Sequence, residues 1–178
     1  MADELKFHDL STRHYGVTES ISGTYAEAAC VCLDRHHAPD VSFALEDAGK
    51  SFVASASWTS PVEARVLAAW NNVTDTTEAG AYGLALAAVE YSRGLVAIRR
   101  AETLTGADYY VDDPNTPIDD LETSFRLEVS GMESGNDAAI KARLNQKIAQ
   151  TKKGKSNVPA LACVVAFHAL KICAAEAG

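Results

Sequence analysis

The sequence predicts a mixed α/β chain in which a helix leads into three strands, a second helix and a further strand, all in one domain behind an N-terminal elaboration. Three observations predict it. Residues 75–94, "DTTEAGAYGLALAAVEYSRG", place apolar residues at helical spacing and close on Gly94. Residues 95–131 then switch to strand-like alternation in three short runs. Residues 159–168, "PALACVVAFH", are apolar throughout, as in a strand covered on both faces. At 178 residues the chain is long enough to bury roughly 70% of its unfolded surface, so a real core is expected.

Residues 1–74 form the elaboration and 75–178 the core of this single domain. Within the first part, "TYAEAACVCLDRH" (24–36) fits a helix and a buried strand equally. "VSFALED" and "KSFVASASW", joined by Ala48 and Gly49, read as a β-hairpin. "SPVEARVLAAW" opens a helix with Ser60 as N-cap, Pro61 in the first turn and Glu63 at capping-box spacing. In the next helix Asp75 and Glu78 have the same spacing. The alanine-rich body lets neighbours approach closely, and Gly94 terminates it.

After Gly94, "LVAIRRA" (95–101) is the first strand, Thr105 and Gly106 make a turn, and "ADYYVDD" (107–113) is the second. "PNTPID" is a loop by its two prolines, and "TSFRLEVSG" (123–131) is the third strand. "NDAAIKARLNQKIAQTKK" (136–153) is an amphipathic helix capped by Asn136 or Asp137.

The formal charge of −8 excludes a protein that coats nucleic acid by bulk charge. That total hides a basic segment: Lys141, Arg143, Lys147, Lys152, Lys153 and Lys155 carry +6 with no acid among them, against −14 elsewhere. Such a block is either a solvated helix face with a lysine-rich loop or a phosphate-contacting edge. The first residues have no apolar run of the signal-peptide kind, and no stretch reaches the 18 apolar residues of a membrane span, so a soluble, cytoplasmic protein is expected. Four cysteines without a C-x-x-C pair read as reduced core residues.

Two strands carry an acid at their centre. Alternation puts Asp108, Tyr110 and Asp112 on one face, and Arg126, Glu128 and Ser130 on one face of the next strand, opposite Phe125, Leu127 and Val129. If the strands are neighbours, Asp108 and Glu128 meet. Two close carboxylates raise each other's pKa unless a cation sits between them, and paired oxygens suit Mg²⁺. The competing reading is a wet sheet face on which Arg126 pairs an acid across strands.

From about Thr77 to His168 this order of elements, with an acid on the second strand and another on the third, resembles the PD-(D/E)XK, or restriction-endonuclease-like, nuclease superfamily. The resemblance implies a restriction-endonuclease-like core and metal-dependent phosphodiester hydrolysis, with Mg²⁺ or Mn²⁺ held by Glu78, Asp108 and Glu128. It also implies a lysine two residues after Glu128, where this chain has Ser130. Either the charge comes from the following helix, with Lys147 as the catalytic cation and Arg143 or Gln146 beside it, or the site is silent and the fold serves as a binding module or structural protein. Lys141, Arg143, Gln146, Lys152, Lys153 and Lys155 are the candidate nucleic-acid contacts. A homodimer through the N-terminal hairpin is a further possibility.

Other constellations carry less. "GKS" at 154–156 lacks the preceding glycine of a P-loop, since Ala149 stands there. Cys30, Cys32, His36 and His37 are better read as core thiols and a surface histidine pair than as zinc ligands. Tyr109, Tyr110, Trp58 and Trp70 either stack bases or fill the core, and core is the commoner use.

Overall fold

The structure, a computed structural model, describes residues 3–177. Helix α1 (Glu19–Asp34) precedes the hairpin of β1 (Val41–Asp47) and β2 (Lys50–Ala56). The short helix α2 (Ala64–Ala69) and the long helix α3 (Val73–Arg93) follow. Then come β3 (Val96–Arg100), β4 (Tyr109–Asp112), β5 (Phe125–Met132), α4 (Asp137–Lys152), β6 (Ala160–Ala166) and β7 (Lys171–Ala177). Among the described residues the strands form one mixed seven-stranded sheet, ordered β2-β1-β7-β6-β5-β4-β3, with four helices. None of these helices is long and apolar enough to cross a membrane.

The segment left open between helix and strand is helical. Its small residues decide the matter: Ala28, Ala29 and Cys32 are buried, and a Cβ on Gly80 of α3 would stand 2.9 Å from Ala29 Cα. The two helices therefore cross almost backbone to backbone. Gly83 likewise faces α1, at Tyr25. Gly131 of β5 supplies the close approach, since a Cβ there would overlap the Thr77 carbonyl oxygen in the first turns of α3.

Both predicted capping boxes are displaced. α2 starts at Ala64 without a side-chain cap, because the Asp34 carboxylate takes the Val62 N–H and the Ser60 hydroxyl and holds that stretch out of the helix. α3 starts earlier than expected: Asn72 caps it, accepting from Thr74 N and Asp75 N at 3.0 and 3.3 Å. Asp75 and Glu78 lie inside its first turns. Gly94 ends α3 in the left-handed conformation at φ 70°, and Asn136 caps α4 through Ala139 N.

The meander β3-β4-β5 is antiparallel, and α4 then crosses over so that β6 lies parallel to β5. One face packs Tyr109, Val111, Leu127 and Val129 with Leu161, Cys163 and Val165 beneath α3. On the other face Val164 and Ala166 meet Ile140 of α4. The central strand β6 is buried along its whole length, as its unbroken apolar run requires. The N-terminal hairpin neither caps a face nor stands free. β1 pairs in parallel with β7, and the main core runs without a break from Leu5 to Ala174.

Candidate functional site

β4 and β5 pair only across Tyr109–Val111 and Phe125–Leu127, and just before that ladder Asp108 N donates to Leu127 O. There the strands fork. The Val129 N–H, left without a strand partner, donates to Asp108 Oδ2 at 2.8 Å, while the Tyr82 hydroxyl of α3 donates to Oδ1 at 2.7 Å. Both oxygens of Asp108 are thus aimed by neighbours. Glu128, one residue before Val129, lies on the α4 side of the sheet, where Lys147 Nζ and Gln150 Nε2 reach its Oε1 at 2.6 and 3.1 Å.

Asp108 and Glu128 flank the last ladder pair, Tyr109 with Leu127, and stand close enough for the charge of one to act on the other. Burial pushes the Glu128 pKa up, the bond from Lys147 pulls it back, and the Asp108 charge pushes it up again, so it stays above the ordinary 4.5. The Lys147–Glu128 pair is shielded, with side-chain exposures of 18% and 7%.

Ser130 continues the Glu128 face of β5 and is 7% exposed. It opens on a cleft of about 450 Å³ bounded by Thr77, Glu78, Glu133, Arg143 and Lys147. The positive charges bordering this cleft are Arg143 and Lys147, both from α4. Glu78 is exposed on the α3 wall. Among the described residues no three His, Cys, Asp or Glu side chains are grouped to hold a metal, so Glu78 does not join Asp108 and Glu128 as the resemblance implied. Donor chemistry still fits a divalent cation: two hard oxygen groups, one with its charged form disfavoured, match the one or two carboxylates through which Mg²⁺ binds alongside waters and substrate phosphates.

The basic segment does not act as one surface, because a helix turns about 100° per residue. Lys147 and Gln150 bond Glu128, and Arg143 lines the cleft. Lys141 points off the other flank, into a groove of about 470 Å³ with Lys50, Lys171, Ile140 and Leu144. Gln146, Lys152, Lys153 and Lys155 are exposed, and their side chains make no hydrogen bond or ion pair among the described residues. The single basic grip expected from sequence is thus divided over three directions.

Among the described residues Arg126 pairs with no acid. Its guanidinium donates to the carbonyls of Val158, Thr105 and Thr151, tying the turn before β4 to the end of α4. Tyr109, Tyr110 and Trp58 are buried core residues, which leaves them unavailable to stack bases. Cys32 is buried and Cys30 half-buried, while His36 bonds Glu133 and His37 bonds the Phe167 carbonyl.

Two residues at the site were missed. Tyr82 lies one helical turn after Glu78, a spacing that could have paired them. Arg100 stands 3.6 Å from Asp108 Oδ1, with its guanidinium 4.6 Å from the Tyr109 ring centroid and 4.9 Å from that of Tyr82. Nothing short of the fold connects it to the acid. No protein-family model, curated relative or solved structure matches this chain.

Proposed function

We propose that the chain is a metal-dependent phosphodiester hydrolase of the restriction-endonuclease-like type acting on nucleic acid. The observation that carries this reading is the facing placement of Asp108 and Glu128 where β4 and β5 part, with the Lys147 ammonium on the Glu128 carboxylate. The strand order supports it as well. A meander followed, across a helix, by a further strand keeps the order of elements read from the sequence.

Six residues have a definable task in this reading. Asp108 and Glu128 would hold Mg²⁺ or Mn²⁺, and the bound ion would lower the pKa of a water and offset charge on a phosphoryl oxygen. Tyr82 and the Val129 N–H keep Asp108 from rotating. Lys147 holds Glu128 against its repulsion from Asp108 and brings a positive charge to the cleft floor. Arg143 attracts the backbone phosphates, which position a strand without reading its sequence.

A binding module without catalysis is favoured by a different observation: Lys147 and Gln150 already occupy Glu128 Oε1, and Glu78 stands apart. One set of assays separates the two. Mn²⁺ binding by calorimetry and nicking of supercoiled plasmid, both abolished in Asp108→Ala and Glu128→Ala, support the hydrolase. Salt-sensitive DNA or RNA binding with no cleavage at any divalent ion would support the module instead.

A further inference from the structure

On the α4 face the sheet is only half covered. α4 packs on β5, β6 and β7, whereas the side chains that β1 and β2 turn to this face, among them Ala44, Glu46, Ser51 and Val53, are exposed. The step down from helix to bare hairpin makes the groove of about 470 Å³ that Lys141 enters. β7 is its floor, α4 one wall and the β1–β2 turn the other. Floor and helix wall are apolar: Ile140, Leu144, Cys173 and Ala175 line them, and Ile140 and Cys173 are buried. Burial, with the nearby Glu46, pushes the Cys173 thiol up to about 11, so it stays uncharged near neutral pH.

Charge lies at the rim. Lys171 holds Glu46 at 2.8 Å and Asp137 at 3.2 Å, and the buried Asp47 is held by Arg93 and Ser92. Lys50, on the hairpin wall, and Lys141, on the helix wall, make no ion pair or hydrogen bond among the described residues. With Asp47 and Arg93 cancelling, three lysines face two acids, so the groove carries one net positive charge in a chain of net −8. A wet sheet flank would present polar side chains throughout, but here an apolar floor lies open beneath unpaired ammonium groups. We propose that this groove binds an amphipathic monoanion, an unbranched apolar chain ending in a carboxylate. The chain lies over Cys173 and Ala175 against Ile140 and Leu144, with the carboxylate between Lys50 and Lys141. An apolar lining with a few polar groups that fix orientation is the usual make-up of a small-ligand site. The groove is on the other flank of α4 from Lys147 and Glu128, and its ligand is independent of the hydrolase reading.

The full chain is titrated by heteronuclear NMR with butanoate, hexanoate and octanoate, and with octyltrimethylammonium as the cationic control. Amide shifts are expected at residues 140–144 and 173–175. Affinity should rise about twofold per added methylene, half of the roughly fourfold of complete burial, because one side of the chain stays in water. Lys50→Gln and Lys141→Gln should each weaken octanoate by about fivefold. The double variant should lose the preference for anion over cation, while Lys153→Gln, at the end of α4, binds as the wild type does. Urea unfolding of each variant checks that the fold is kept. Affinity independent of chain length, equal binding of the cation by the wild type, or shifts confined to other amides overturns the proposal, as does the absence of any shift at the solubility limit of octanoate.

Discussion

Replacing Lys147 by methionine strands the Glu128 carboxylate. The pair is poorly exposed on both sides, and breaking a buried pair by removing one partner costs roughly 3–5 kcal/mol because the remaining charge is uncompensated. Two features reduce that figure. Gln150 Nε2 continues to donate to Glu128 Oε1, and the lysine side of the pair is open enough for water to enter. The expected loss is therefore about 2–3 kcal/mol near pH 7.

The effect has a sign in pH. The Glu128 pKa is raised in the folded chain, so its contribution is fully present below the ordinary value of 4.5 and is lost as pH rises through the folded value. Lys147→Met removes the bond that pulls the pKa down, so this loss deepens and extends to higher pH. Near pH 4, where the carboxyl is largely protonated in both states, the variant should approach wild-type stability. Urea unfolding of wild type, Lys147→Met, Glu128→Gln and the double variant at both pH values measures this. The Lys147→Met penalty should largely vanish in the Glu128→Gln background. A coupling below about 0.5 kcal/mol near pH 7, or the same penalty near pH 4, would refute the reasoning.

Three further outcomes follow from the geometry. Gly131→Ala drives a methyl group into the Thr77 backbone, so it should cost about 1–3 kcal/mol in urea unfolding, and no measurable change would mean that the first turn of α3 slides freely on β5. Asn72→Ala removes the cap of α3 and should cost about 1 kcal/mol, whereas Asp75→Ala, from the displaced capping box, should cost less. Glu90 is pushed up by burial, but hydrogen bonds from His14 and Arg13 outweigh that and bring its pKa down to about 2. Its stabilisation is therefore present above the ordinary 4.5 and lost as pH falls toward 2, so Glu90→Gln should destabilise near neutral pH and flatten the acid limb of a Tm–pH curve.

What could be read in advance depended on whether a feature was local. The strand runs after Gly94 alternate cleanly, and the faces so assigned put Leu127 with Val129 beneath α3 and Glu128 toward α4, whereas Asp108 precedes β4 and is bonded by Tyr82 of α3. Helical spacing sets Lys147 and Gln150 on one side of α4, where they share one oxygen of Glu128. The same spacing, applied to Lys141, would have sent it off the opposite flank from Lys147. Capping was ambiguous because "WNNVTDTTE" offers Asn72, Thr74 and Asp75 in succession, and each accepts helix N–H groups well. The helix at "TYAEAACVCLDRH" was undecidable because its small residues satisfy either period until Gly80 meets Ala29. Tyr82, Arg100 and the β4–β5 fork depend on how distant segments pack, which no local pattern encodes.

The parallel pairing of Ala44 with Lys171 bears on how the molecule matures. The hairpin leaves the ribosome early, yet the ladder that completes it is translated only after nearly all the intervening sequence. Until then β1 offers an open flank with unsatisfied amides and carbonyls, a template for wrong partners. Such a topology has high contact order and should fold slowly, so a shielding chaperone, or low expression temperature, should raise the yield of native material.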